Sequence, residues 1–125
     1  MSKARVLLVD DDERLRQSLA HRLGRWYEVT EAADAEAALA ILRERGVSAF
    51  DVIVSDFAMG GAFDGLELMA IVRDYFSSLK RVLISGDPNP AQFVPHVDAG
   101  VMHGFLPKPC TYLDVQAEIE RVLAG

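Results

Sequence analysis

Three consecutive acids, Asp10, Asp11 and Asp12, follow the apolar run Arg5 to Val9, and another acid, Asp56, ends the apolar run Asp51 to Ser55. Carboxylates brought close together repel and push one another's pKa upward, so a bound cation is the cheaper arrangement. Mg²⁺ suits such a site because it takes oxygen ligands, keeps several waters and is commonly held by one or two carboxylates plus phosphate oxygens. Asp11 and Asp56 have the right chemistry for that role. Two more polar residues close later apolar runs: Ser85 ends Arg81 to Ser85, and Lys108, followed by Pro109, comes just after the run 103–106. A hydroxyl and a compact ammonium flanking a carboxylate that also touches a divalent ion would together neutralise a phosphoryl group on that carboxylate. In such a constellation Asp56 is a nucleophile.

These groups do chemistry only if the chain brings them together. A short run of aliphatic and β-branched residues reads as a strand buried on both faces, the kind found in parallel sheets. Ligands of open α/β sheets bind in the crevice at the carboxyl ends of the strands, which is where all these polar residues fall. Strands are predicted at about 5–10, from Tyr27 to Ala32, at about 51–56, from Arg81 to Ser85, and at 103–106. Between them lie helical patterns. Residues 13–24 place Leu15, Leu19 and Leu23 at four-residue spacing as a core face, with Gly24 as a stop. Asp34 is an N-cap for an Ala-rich helix over 35–45 that Gly46 closes. A Gly-rich loop, Met59 to Gly65, leads into a helix carrying Leu66, Leu68, Met69, Ile71, Val72 and Tyr75. Thr111 or a neighbour caps a final helix whose Leu113, Ile119, Val122 and Leu123 can face the core.

The segment 87–100 breaks the rhythm. Pro88, Pro90 and Pro95 each remove a backbone donor, so the fourth helix is predicted to be short, late or broken. The whole is βα repeated five times. Such alternation with short connections predicts a doubly wound parallel sheet with helices on both faces, since right-handed crossovers leave few other topologies.

The 125 residues fit one domain, predicted to span the whole chain. A net charge of −6 and the lack of any basic stripe exclude direct, non-specific nucleic-acid binding. No apolar run approaches the roughly 20 residues of a membrane span, and no signal-peptide pattern opens the chain, which predicts a cytoplasmic protein. Cys110 is the only cysteine and reads as packing. His21, His96 and His103 lack metal-site spacing and read as structural or surface residues. Trp26, beside Tyr27, reads as packing or an edge-strand contact.

The segments VLLVDDDERLR, FDVIVSDFAM, DGLEL, RVLISG and GFLPKP, in this order and spacing, resemble the receiver domain of bacterial two-component response regulators over essentially the whole chain. No single segment is specific, but five in register are. The resemblance implies a flavodoxin-like fold with strand order 2-1-3-4-5. Asp56 would be the phosphoacceptor, supplied by a histidine kinase or a histidine phosphotransfer protein. Asp10 and Asp11 match the acidic pair that binds Mg²⁺ or Mn²⁺, with Asp12 the less favoured ligand, and the backbone carbonyl of Ala58 matches a third protein ligand. Ser85 matches the hydroxyl that moves towards the phosphoryl group, Phe105 the aromatic switch position, and Lys108 the lysine that pairs with the phosphoryl group. Output would pass to an unidentified downstream protein, and a homodimer through the final helix is one further arrangement.

The chain departs from the family pattern in two places. Met59 is followed by Gly60 and Gly61 where Met-Pro is common, in a loop about one residue longer, which predicts a loop less tightly ordered. Gly86 stands where Ala is frequent. Taken singly, each residue has a plainer reading: Asp10 to Glu13 as a helix cap, Ser85 as a turn former, Lys108 as a surface lysine, and Phe105 as core. Three other functions compete. Haloacid dehalogenase-like phosphatases carry Asp-x-Asp, whereas the residue two beyond Asp56 is Ala58. A flavodoxin proper would need a phosphate-binding loop where the three aspartates stand. The third is a receiver-like interaction module that works without phosphate.

Overall fold

A computed structural model describes residues 3–87 and 89–125. Five parallel strands, β1 (Ala4–Val9), β2 (Tyr27–Ala32), β3 (Val52–Asp56), β4 (Lys80–Ser85) and β5 (Gly104–Pro107), form one sheet in the order β2-β1-β3-β4-β5. The parallel sheet with helices on both faces is the one the alternation predicts, and the flavodoxin-like strand order is the one the resemblance implied. The helices between them are α1 (Glu13–Leu23), α2 (Ala35–Arg45), α3 (Gly65–Tyr75), α4 (Val94–Asp98) and α5 (Tyr112–Ala124).

Side-chain alternation along the strands splits the core in two. Leu7, Val9, Ile53 and Leu83 point to the face covered by Ala38 and Leu42 of α2, Leu68, Met69 and Val72 of α3, and Phe93. Val6, Leu8, Val52, Val54, Val82 and Ile84 point to the other face, covered by Ala20 and Leu23 of α1 and by Val115, Ile119 and Val122 of α5. With helices on both sides, the central strands have no solvent face. That is why their sequences are continuous apolar runs.

The helix starts are written locally. Asp12, Asp34, Asp64 and Thr111 each accept a backbone N–H two or three positions into α1, α2, α3 and α5, and Asp64 with Glu67 and Thr111 with Asp114 complete capping boxes. The proline-rich segment behaves as predicted. Residues Pro90–Phe93 form a 3₁₀ turn and α4 has only five residues, with Pro95 in its first turn where the missing donor costs nothing. Pro88 lies outside the described residues.

Two predicted core residues are not in the core. Leu15 is 59% and Leu113 53% exposed. On an α-helix a four-residue step drifts about 40°, so Leu15 lies roughly 80° round from Leu23 and leaves the buried stripe. Leu113 lies about 180° from Val122 by the same geometry, and Val115 takes the core position instead. Tyr75, the last residue of α3, is also exposed. Elsewhere the predicted ends shift by a residue: β1 begins at Ala4 and stops before Asp10, and β5 runs to Pro107.

Candidate phosphoryl and metal site

Asp10 is the first residue beyond β1 and Asp56 the last of β3, and the two strands are neighbours with Val9 opposite Ser55. This register delivers both acids, with Asp11, to one point at the carboxyl end of the sheet. Asp10, Asp11 and Asp56 each offer a carboxylate oxygen within 4.8 Å of the others. Asp56 is buried, Asp10 half-buried and Asp11 exposed. All the donors in the cluster are oxygens, which fits a hard divalent cation rather than a thiolate- or imidazole-seeking one.

Lys108 reaches the cluster from beyond β5. Its Nζ is 2.7 Å from Asp56 Oδ1. Its backbone N–H donates to the Ser85 carbonyl at 2.8 Å, tying the turn after β5 to the end of β4, and the Lys108–Pro109 peptide bond is cis. Burial by itself would pull the Lys108 ammonium's pKa down. The hydrogen bond to Asp56 and the charges of Asp56 and Asp10 outweigh that and raise it, so the cation is held firmly. Asp10 shows the opposite strain: burial pushes its carboxyl up, the Asp12 N–H pulls it down through a 2.9 Å hydrogen bond, and the Asp56 charge pushes it up again.

The acidic run divides its labour. Asp12 is the N-cap of α1, accepting from the Leu15 N–H at 3.1 Å, so the cap reading holds for this residue while its two predecessors join the cluster. The buried Ser85 Oγ accepts the Asp87 N–H at 3.0 Å at the rim of the site. Phe105 is half-buried, its ring 5.7 Å from Phe93, which in turn lies 5.4 Å from Phe57, the residue after Asp56. Three aromatic rings thus bridge from the end of β3 to β5. A cleft of about 570 Å³ between α1 and the turn after β5, bordered by Leu15, Leu19, Pro109 and Tyr112, opens onto Asp10, Asp56 and Lys108.

Sequence reasoning passed over two residues. Glu36, in the first turn of α2, accepts the Ala62 N–H of the loop after Asp56 at 3.0 Å. Nothing local signals a contact across 26 positions. Arg81, nearly fully buried, donates to the carbonyls of Ser77, Leu79, Gly100 and Val101 and pins the approach to β5. Here a signal existed, since a charge at the mouth of an apolar strand needs partners. His103 is structural as expected, its Nδ1 accepting the Arg81 N–H at 3.0 Å. Cys110 packs against the α1/α5 core, and Trp26 stacks on Tyr112 at 6.3 Å.

Comparison with known proteins agrees with this geometry. The family model described as the response regulator receiver domain matches residues 6–120. The chain belongs to that family. Among curated relatives, a putative NtrX-like response regulator of Rickettsia felis is 32% identical over 110 residues, which cover 87% of this chain but 22% of the relative. The hydrogenase transcriptional regulatory protein HoxA of Cupriavidus necator is 30% identical over 86% of this chain and 21% of its own length. The receiver domain thus spans about a fifth of the length of those relatives. Among solved structures, the chemotaxis protein CheY4 of Vibrio cholerae superposes with a TM-score of 0.82 at 31% identity, covering 97% of this chain and 99% of that one. Among the described residues no helix is long and apolar enough to cross a membrane.

Proposed function

We propose that this receiver domain is a phosphorylation-dependent signalling switch in which Asp56 accepts a phosphoryl group from a histidine kinase or a histidine phosphotransfer protein. The observation that carries this reading is the pairing of buried Asp56 with Lys108 at 2.7 Å, beside two further carboxylates at one strand edge. An Asp56 carboxylate oxygen attacks phosphorus, the bond from phosphorus to the donor breaks, and the donor imidazole leaves with the bonding electrons.

Asp10, Asp11, Asp56 and the Ala58 carbonyl are the groups to hold Mg²⁺ or Mn²⁺. When bound, the cation supplies charge neutralisation for the incoming phosphoryl oxygens. Lys108 holds Asp56 in place beforehand and then pairs with a phosphoryl oxygen. Ser85 exchanges the Asp87 N–H for a phosphoryl oxygen, and Phe105, already against Phe93, moves with it. The phosphoryl group thus selects among arrangements of the Ser85 and Lys108 turns, and a downstream protein reads the selected state.

Intact-mass analysis after incubation with acetyl phosphate and Mg²⁺ tests the reading. One Mg²⁺-dependent phosphoryl adduct, absent from Asp56→Asn, is the expected result. No adduct with several donors and a histidine kinase would instead favour an interaction module that works without phosphate.

A further inference from the structure

The loop that leaves Asp56 is held from outside at two neighbouring points. Gly60 donates its N–H to Asp11 Oδ2 at 2.9 Å, and Ala62 donates its N–H to Glu36 Oε1 at 3.0 Å. Gly61, between them, sits at φ +104°, and a Cβ there would lie 2.9 Å from Glu36 Oε1. The backbone angle favours glycine here, and any side chain would also push the Glu36 carboxylate out of its present place. The Glu36 backbone is held one residue into a helix whose start is fixed by Asp34 accepting the Ala37 N–H at 2.7 Å. Among the described residues Glu36 makes no ion pair, and its carboxylate accepts the loop amide.

Asp11 belongs both to the carboxylate cluster and to this tether. Anything that fixes residues 60–62 therefore also fixes one oxygen of Asp11, and it narrows the freedom of the backbone at Ala58, two residues upstream in the same loop. Without the Glu36 contact, a loop with adjacent glycines regains conformational freedom that cation binding must then remove.

We propose that Glu36 is a positioning residue for the cation site, clamping the loop after Asp56 from the start of α2 so that Asp11 and the loop carbonyl are preset for a divalent cation. The inference rests on the reading of Asp10, Asp11 and Asp56 as that site. Glu36 touches neither the cation nor the phosphoryl group and acts only through the loop.

The test is a calorimetric Mg²⁺ titration of the native chain, Glu36→Ala and Glu36→Gln, with amide hydrogen exchange at Ala62 followed by NMR in metal-free protein. Removing one charge-assisted hydrogen bond at an exposed site should weaken Mg²⁺ binding about 3- to 10-fold in Glu36→Ala and speed Ala62 exchange by a similar factor. Glu36→Gln, which keeps an amide oxygen in the same place, should recover most of both. Gly61→Ala supplies an independent arm: in the native background it meets both the angle and the Glu36 oxygen, in Glu36→Ala only the angle, so the two substitutions should be less than additive on Mg²⁺ affinity. A Glu36→Ala variant whose Mg²⁺ affinity and Ala62 exchange stay within about twofold of native, where the native chain binds Mg²⁺, overturns the positioning role and leaves the site reading intact. A native chain that binds no Mg²⁺ overturns both.

Discussion

His103 sits at the opposite end of the strands from the carboxylates, its Nδ1 accepting the Arg81 N–H and its backbone N–H donating to the Arg81 carbonyl. Burial, then the charges of Arg81, Lys80 and Arg121, push its pKa down to about 4. A base with a depressed folded-state pKa costs stability where the unfolded chain binds its proton and the folded chain does not. The imidazole therefore contributes no penalty above about pH 6.5, and stability falls as pH drops from there towards 4. His103→Asn places an amide oxygen where Nδ1 accepts and removes the titration. The expected result is a difference in unfolding free energy between native and variant that grows by about 1–2 kcal/mol between pH 7 and pH 4, after discounting for partial solvent exposure, measured by urea denaturation. A flat difference across that range would show that His103 charges freely in the folded chain. The three adjacent aspartates likewise take different roles, because Asp12 points into its own helix turn while Asp10 and Asp11 stay at the strand end.

At the scale of elements, the join between β3 and α3 is the tightest in the site. Gly65, the first residue of α3, donates its N–H to the Phe57 carbonyl at 2.8 Å, and a Cβ at this position would overlap the Asp56 carbonyl oxygen and lie 2.8 Å from the Phe57 Cα. The nearest atoms it would meet are all backbone of Asp56 and Phe57, which leaves nothing flexible to give way. Gly65→Ala should destabilise the fold by about 2–3 kcal/mol and displace Asp56 from Lys108, lowering the yield of the phosphoryl adduct. Gly86→Ala is the matched control, because its added Cβ would meet only the Lys108 side chain at an ordinary 3.8 Å. It should cost less than about 0.5 kcal/mol. Thermal denaturation of the two variants separates a backbone collision from a general intolerance of side chains near the site. The predicted looseness of the Gly60-Gly61 loop meets a counterweight at this scale, since Asp11 and Glu36 hold two of its amides.

For the whole molecule, the carboxylate cluster sets function against stability. The raised pKa of Asp10 means that its charged form is less at ease in the folded chain than in the unfolded one. Asp10→Asn should therefore raise the metal-free unfolding free energy. The same substitution removes one of the carboxylates proposed to hold the cation. Mg²⁺ at a hundredfold excess over its dissociation constant should stabilise the native chain by about 2.7 kcal/mol, and the variant should show a smaller shift. Scanning calorimetry with and without Mg²⁺ reads both effects, and a native chain indifferent to Mg²⁺ would remove the cation from the mechanism. The two cores behind the sheet make such a site tolerable, because helices on both faces bury the strands whose ends hold the like charges together.

The architecture, the family and the set of polar residues that close the strands were legible in the sequence. Those signals are local: apolar runs stopping at acids, caps such as Asp34, Asp64 and Thr111, and prolines that shorten α4 are all legible within a few residues. Folding in three dimensions was needed to settle which aspartate caps and which joins the cluster, that Lys108 lies on Asp56, that Leu15 and Leu113 face solvent, and that Glu36 and Arg81 hold loops in place. Each of these depends on strand register and on the angle at which one helix covers its neighbours. Asp11 and Gly60 are 49 positions apart, and their contact exists only because β1 and β3 pair at one register.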